Sequence, residues 1–210
     1  FVHNCSFCPS TTNCGKKRIS LSMSDVSFIL NRCNSLGYRN IHFTDEDFFY
    51  DIDQAHAVLS LIVEISEMQS NYFHLIALGS ADKVLEYINK YGTDEIKRAG
   101  LEVIEIGFES GDTSISKKMG IGKSLTACEV LGDMKKDLPF TIFWLVLTFF
   151  PGETIKSLNA TGEFMLKYGL PIDEVIGRLR TNGTRGGLGQ FFQPYDGTSI
   201  DHTLRKNGLF

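Results

Sequence analysis

The sequence predicts an α/β fold of repeated strand and helix units, and three observations carry that prediction. Five apolar, β-rich segments recur, at Asn40 to Thr44, Tyr72 to Leu78, Val103 to Gly107, Phe140 to Phe149 and Glu174 to Arg180. Their starts lie about 31 to 37 residues apart, the length of a strand, a crossover helix and two loops. Stripes of apolar residues at helical spacing fill the intervals.

The helices follow in order. Ser24 precedes the Val26, Ile29, Leu30 and Cys33 stripe and Gly37 closes it, which predicts a helix over about 22 to 36. Further stripes run from Ala55 to Met68, from Val84 to Ala99 with a break at Gly92, from Leu125 to Lys136 and from Thr154 to Tyr168. Each returns the chain for another parallel strand. Parallel strands with right-handed crossovers form either an open doubly wound sheet or a barrel, and periodicity does not choose between them. In both, chemistry gathers at the carboxyl ends of the strands. Those positions are polar here: Thr44, Asp45, Glu46 and Asp47, then Gly79, Ser80 and Asp82, then Glu109, Ser110 and Gly111, then Pro151, Gly152, Glu153 and Thr154.

Composition narrows the function. With 210 residues and 42% hydrophobic content the chain can bury one sizeable core, so a single domain over residues 1–210 is expected. A net charge of -4 gives no basic excess for a polyanion, so no nucleic-acid partner is expected and small-molecule chemistry is. The most hydrophobic stretch, Phe140 to Phe150, is interrupted by Thr141 and Thr148 and falls short of the roughly 18 apolar residues of a span, so no membrane partner is expected either. No secretory signal pattern opens the chain, and a reducing cytosol is the expected compartment. Phe1 enters in mid-motif with no preceding strand, which reads as a domain of something longer.

The five cysteines are unevenly placed. Cys5, Cys8 and Cys14 crowd one end, while Cys33 and Cys128 stand alone in helical patterns, which is not a disulfide framework. A two-residue spacer lets Cys5 and Cys8 wrap one corner of an iron–sulfur cubane. A zinc site using Cys5, Cys8, Cys14 and His3, and a pair of buried thiols, are the alternatives. His42 and His74 fall on strands and read as core or rim residues, Trp144 reads as packing, and Gly183, Gly186, Gly187 and Gly189 read as a loop around Arg185.

The segment Cys5, Ser6, Phe7, Cys8 resembles the radical S-adenosylmethionine signature, three cysteines spaced three and two residues apart with an aromatic just before the last. The resemblance extends along the chain. Asn40 to Asp53 is similar to the family's second strand and following loop, Ala99 to Gly111 to its fourth strand with a Gly-aromatic-Glu-Ser-Gly end, and Leu147 to Thr154 to its fifth strand and Pro-Gly-Glu-Thr turn. Gln193 to Thr198 resembles a Pro-Tyr-Pro-Gly-Thr element, with Asp196 in place of proline, and Lys117, Lys118 and Met119 follow the pattern of the family's next helix. The departure is at the first cysteine position, where this chain has Phe1. An altered residue there, a member without a cluster, or a replacement ligand in Cys14 would each account for it.

The resemblance implies a partial (β/α)6 TIM-like barrel whose first strand is largely missing from the chain. It implies a [4Fe-4S] cluster on Cys5, Cys8 and Cys14, and S-adenosylmethionine beside Phe7, Thr44, Asp45, Glu46, Glu109 and Ser110. Phe7 would lie by the adenine, and the loop after the second strand would meet the amino group. The implied activity is generation of a 5'-deoxyadenosyl radical for use on a small-molecule or peptide substrate, with flavodoxin or ferredoxin as electron donor. Asp45, Glu46, Phe48, Phe49 and Tyr50 most resemble members that carry a cobalamin-binding domain upstream, which implies methyl transfer or ring rearrangement. A barrel that has lost its cluster, serving as a binding module, is the competing expectation.

Overall fold

The computed structural model of the chain describes residues 5–10, 19–121, 125–169 and 190–209. Five strands are described: β1 (Asn40–His42), β2 (His74–Gly79), β3 (Leu101–Glu109), β4 (Thr141–Thr148) and β5 (Gln190–Phe191). Around them run α1 (Met23–Ser35), α2 (Ile52–Gln69), α3 (Ala81–Tyr91), α4 (Asp94–Ala99), α5 (Thr113–Met119), α6 (Leu125–Met134), α7 (Ile155–Tyr168) and α8 (Ser199–Lys206). The strands pair in the order β1-β2-β3-β4-β5. The β1–β2, β2–β3 and β4–β5 pairs are parallel. Strand order follows chain order without reversal, which is the winding of a β/α barrel; a doubly wound sheet reverses at a switch point.

Four of the five strand segments read from the sequence are strands, with ends displaced by at most two residues. The fifth, Glu174 to Arg180, lies outside the described residues, as does the loop from Gly183 to Gly189. The stripe over 84–99 divides into α3 and α4 because Gly92 takes φ +74 and closes the first helix, its amide donating to the Ile88 carbonyl at 2.8 Å. Gly100 ends α4 at φ +80, and a Cβ there would stand 2.0 Å from the Phe73 carbonyl oxygen, so only glycine fits.

Among the described residues the contacts form two compact units, one within 20–108 and 126–144, the other within 1–19, 109–125 and 145–210. In the first, α2 buries Ile52, Ala55, Val58, Leu59, Ile62, Val63, Ile65 and Ser66 and packs on α1, α3 and α4. Phe73, Leu75, Ala77, Ile104 and Ile106 fill the strand side, and Trp144 meets Phe108 edge-on at 6.2 Å. His42 and His74 are rim residues: each is half exposed, His42 Nε2 lying 3.6 Å from Glu105 and His74 Nδ1 2.7 Å from Glu102. In the second unit a smaller core gathers Ile115, Met119, Ile121, Leu147 and Phe150. Among the described residues no helix is long and apolar enough to cross a membrane.

Candidate functional site

The cysteine turn is a compact loop sewn into its own unit. The Cys8 amide donates to the Cys5 carbonyl at 3.3 Å, so both thiols sit on one tight turn, half-buried and outside any disulfide. Ser6, between them, is the anchor. Its amide donates to the Met119 carbonyl at 2.7 Å and its hydroxyl to the Lys118 carbonyl at 3.3 Å. Its own carbonyl accepts from the Ile200 amide at 3.0 Å and the Ser199 hydroxyl at 3.3 Å. Residues from α5 and from the start of α8 therefore hold the turn. Phe7 and Cys5 pack on the apolar cluster, Phe7 meeting Phe150 edge-on at 6.4 Å and Phe150 meeting Phe192 at 5.1 Å.

Two strand ends in this unit carry an unusual backbone. Glu109 at the end of β3 has φ +66 and Phe149, just after β4, has φ +62, the left-handed region that non-glycine residues seldom enter. Each is held by its surroundings. At the first, Ser110 is buried, its hydroxyl accepting from the Asp112 amide at 3.2 Å and lying 3.5 Å from the Thr161 hydroxyl. The Gly111 amide donates to Thr161 Oγ1 at 2.9 Å, and a Cβ on Gly111 would lie 2.5 Å from the Ala160 carbonyl oxygen. Ser110 is thus committed to the turn. At the second, Glu153 Oε2 accepts the amides of Phe149 and Phe150, at 2.5 and 3.3 Å. Its Oε1 is buried with no hydrogen-bond partner among the described residues. Thr154 and Ser157 then form a reciprocal capping box that starts α7. Gly152, at φ +90, lies under Lys118, whose Nζ is 2.7 Å from where a Cβ would be.

The element from Gln193 to Thr198 starts α8. The Thr198 hydroxyl donates to the Tyr195 carbonyl at 2.7 Å and accepts from the Asp201 amide at 3.3 Å. Asp196, which departs from the expected proline, accepts from Arg205 at 2.7 Å.

In the other unit the loop after β1 forms an arch. The Phe43 amide donates to the Ile76 carbonyl at 2.9 Å and the Phe48 amide to the Leu78 carbonyl at 2.8 Å, so both feet rest on β2. Between them Thr44, Asp45 and Glu46 are exposed, and none of the three has a side-chain hydrogen bond or ion pair among the described residues. Phe48 and Phe49 are buried behind it, Phe49 meeting Tyr87 at 5.3 Å.

The site residues read from the sequence thus fall into two groups, Cys5, Cys8, Phe7, Glu109 and Ser110 in one unit and Thr44, Asp45 and Glu46 in the other, while Cys14 lies outside the described residues. Among the described residues no three His, Cys, Asp or Glu side chains are placed to hold a metal ion. The described thiolate set is Cys5 and Cys8, one short of the three that leave a single open iron on a cubane, so it does not by itself fit the cluster. A groove of about 430 Å³ is lined by Asp112, Ile155, Lys156, Asn159, Ala160 and Glu163, none of them a predicted site residue. Ser6 is the anchor that sequence reading missed, since its partners leave no local signal; Glu153 was read as part of the Pro-Gly-Glu-Thr turn without its bonds to the Phe149 and Phe150 amides.

A parallel α/β core with polar strand-end loops and a two-cysteine turn defines the class. The sequence matches the Radical SAM superfamily over residues 2–165, and the chain belongs to that superfamily. Its fold is similar to that of TsrM from Kitasatospora setae, a radical S-adenosylmethionine methyltransferase solved with cobalamin and a [4Fe-4S] cluster, with TM-score 0.66 and 18% identity over 80% of this chain and 31% of that one. Methylornithine synthase (PylB) matches with TM-score 0.55 and 17% identity over 95% of this chain and 52% of that one. The cobalamin-dependent S-adenosylmethionine radical enzyme OxsB matches with TM-score 0.56 and 16% identity over 88% of this chain and 31% of that one. The chain therefore spans about a third of TsrM and OxsB and about half of PylB. No curated protein sequence matches it.

Proposed function

We propose that the chain is the S-adenosylmethionine-binding core of a radical enzyme. The observation that carries this reading is the arch after β1: Asp45 and Glu46 are exposed and without a side-chain partner among the described residues, on a segment whose two feet are fixed to β2. Acceptors held ready in this way suit the protonated amine of an amino-acid cofactor, because their orientation is set before the ligand arrives. Phe7 supplies an aromatic surface already braced by Phe150, suited to an adenine ring. Glu109, held in a left-handed conformation at the end of β3, supplies a further acceptor. The likeness to TsrM and OxsB supports cobalamin as a further cofactor, and the likeness to the methyltransferase TsrM supports methyl transfer as the reaction class; the corrinoid would need a domain beyond these residues.

A [4Fe-4S] cluster belongs to this reading, with Cys5 and Cys8 as two of its ligands and the third thiolate still to be supplied. Cys14 is the candidate within the chain. The two-thiol turn also favours a second reading, a barrel that binds S-adenosylmethionine or another small molecule without a cluster.

Equilibrium titration of the anaerobically reconstituted protein with S-adenosylmethionine, together with iron counting, tests both. Binding that requires iron, with three to four irons per chain once Phe1→Cys supplies a third thiolate, supports the radical enzyme. Binding without iron supports the second reading, and no binding in either state refutes both.

A further inference from the structure

Asp47 closes the sequence of acids after β1 but differs from Asp45 and Glu46 in what it touches. Its Oδ2 accepts from the Ser80 hydroxyl at 2.7 Å and its Oδ1 from the Ser80 amide at 3.3 Å. Ser80 is 2% exposed and is the N-cap residue of α3. A serine at that position ordinarily turns its hydroxyl to accept an amide of the first helical turn. Ser80 makes no such bond. Its hydroxyl is given to Asp47 instead, and a carboxylate takes the place at the positive end of the helix.

The consequence is local. The arch of Thr44, Asp45 and Glu46 leaves β2 at Phe43 and returns at Phe48, and the residue between Glu46 and that return is Asp47. Without its bonds to Ser80 the descending side of the arch rests on the Phe48 amide bond to β2, a local bond from the Tyr50 amide to the Asp47 carbonyl at 3.2 Å, and the buried Phe48 and Phe49 rings. With them, backbone and carboxylate fix it at two successive residues, and the orientation of Glu46 and Asp45 follows.

We infer that Asp47 is the positioning residue of this candidate cofactor-binding arch: it binds no cofactor itself, and holds Asp45 and Glu46 in place through Ser80. The inference rests on the function proposed above and assigns a different task to the third acid of the run.

The test compares Asp47→Ala, Asp47→Asn, Ser80→Ala and, as a control for stability alone, Ile62→Val, whose side chain is fully buried elsewhere in the same unit. Each is titrated with S-adenosylmethionine after anaerobic reconstitution, melted by circular dichroism, and followed by hydrogen exchange over residues 43–50. Asp47→Ala is expected to weaken affinity about tenfold, the loss of a charge-assisted bond, and to speed exchange at the Phe48 amide about tenfold. Asp47→Asn keeps an acceptor for Ser80 and should restore affinity to within about threefold of the unmodified chain. Ile62→Val should lower the melting temperature and leave affinity alone. If the unmodified chain fails to bind, the proposed function falls, and the exchange measurement, which needs no ligand, still decides the positioning. Unchanged exchange over 43–50 in Asp47→Ala overturns the inference, as does an affinity loss that Asp47→Asn does not restore or that Ile62→Val reproduces.

Discussion

The cysteine turn and the arch after β1 are built in opposite ways. The turn lies against an apolar cluster, its central serine makes four hydrogen bonds to α5 and α8, and Phe7 and Cys5 are themselves part of the packing. The arch keeps its packing behind it, in Phe48 and Phe49, and leaves Thr44, Asp45 and Glu46 in solvent. A side chain that binds and also packs cannot be removed without unfolding something; one that only projects can be. The two regions should therefore respond differently to the same kind of substitution.

The largest effect is expected where packing and site coincide. Phe150 is 2% exposed and touches both Phe7 and Phe192, so Phe150→Ala should cost about 3–5 kcal/mol in urea unfolding. It should also weaken iron and S-adenosylmethionine binding through displacement of the cysteine turn. A loss under about 1 kcal/mol would break the comparison, since the turn would then not depend on the cluster beneath it.

Next comes the ligand count. After anaerobic reconstitution the chain should hold iron substoichiometrically, Phe1→Cys should raise the iron content severalfold, and Mössbauer spectra should change from mixed species to a four-iron cluster. If Cys14→Ala lowers the iron content of the unmodified chain, Cys14 is the third ligand. Full occupancy in both the unmodified chain and Cys14→Ala would show that neither position is needed.

The arch gives a cleaner result. Asp45→Ala combined with Glu109→Ala should weaken S-adenosylmethionine by about tenfold or more, and the Asp45→Ala part should do so at unchanged melting temperature because that side chain is exposed and has no partner among the described residues. Unchanged affinity in the double variant would count against both acids as binding residues.

The smallest effect concerns a cap. Asp112 starts α5, accepting from the amides of Ser114 and Ile115 at 2.8 and 3.1 Å. The Ser114 hydroxyl and the Ile115 amide hold its carboxyl below its ordinary value of 3.8. A depressed carboxyl stabilises the fold above its unfolded value and loses that contribution as pH falls through the folded one. Asp112→Ala should thus cost about 1 kcal/mol at neutral pH, and Asp112→Asn should flatten the part of the acid transition that begins near pH 4. Unfolding monitored from pH 7 to pH 2 checks both.

Much of this could be read from the chain alone. The spacing of apolar runs determined the strands and helices because period and burial are local properties, and the polar residues at strand ends marked the loops because parallel strands deliver them to one edge. Cys5 and Cys8, with the later strand-end motifs, carried the resemblance to the superfamily. Helix α5 was legible only through the resemblance at Lys117, Lys118 and Met119, and α8 was not read, since each is a short segment with little stripe to read.

Tertiary structure decided which of those polar residues stay available. Ser110 and Asp47 looked like the other polar residues at their strand ends, and folding gave the first to Thr161 and Asp112 and the second to Ser80. Asp196, a departure in the sequence, became the partner of Arg205. Ser6 meets Ser199 across 193 residues of chain. A hydrogen-bond partner at such separation leaves no periodic or local trace, because the backbone between the two residues determines neither one's side chain, and only the packing of α5 and α8 in the same unit brings them within reach.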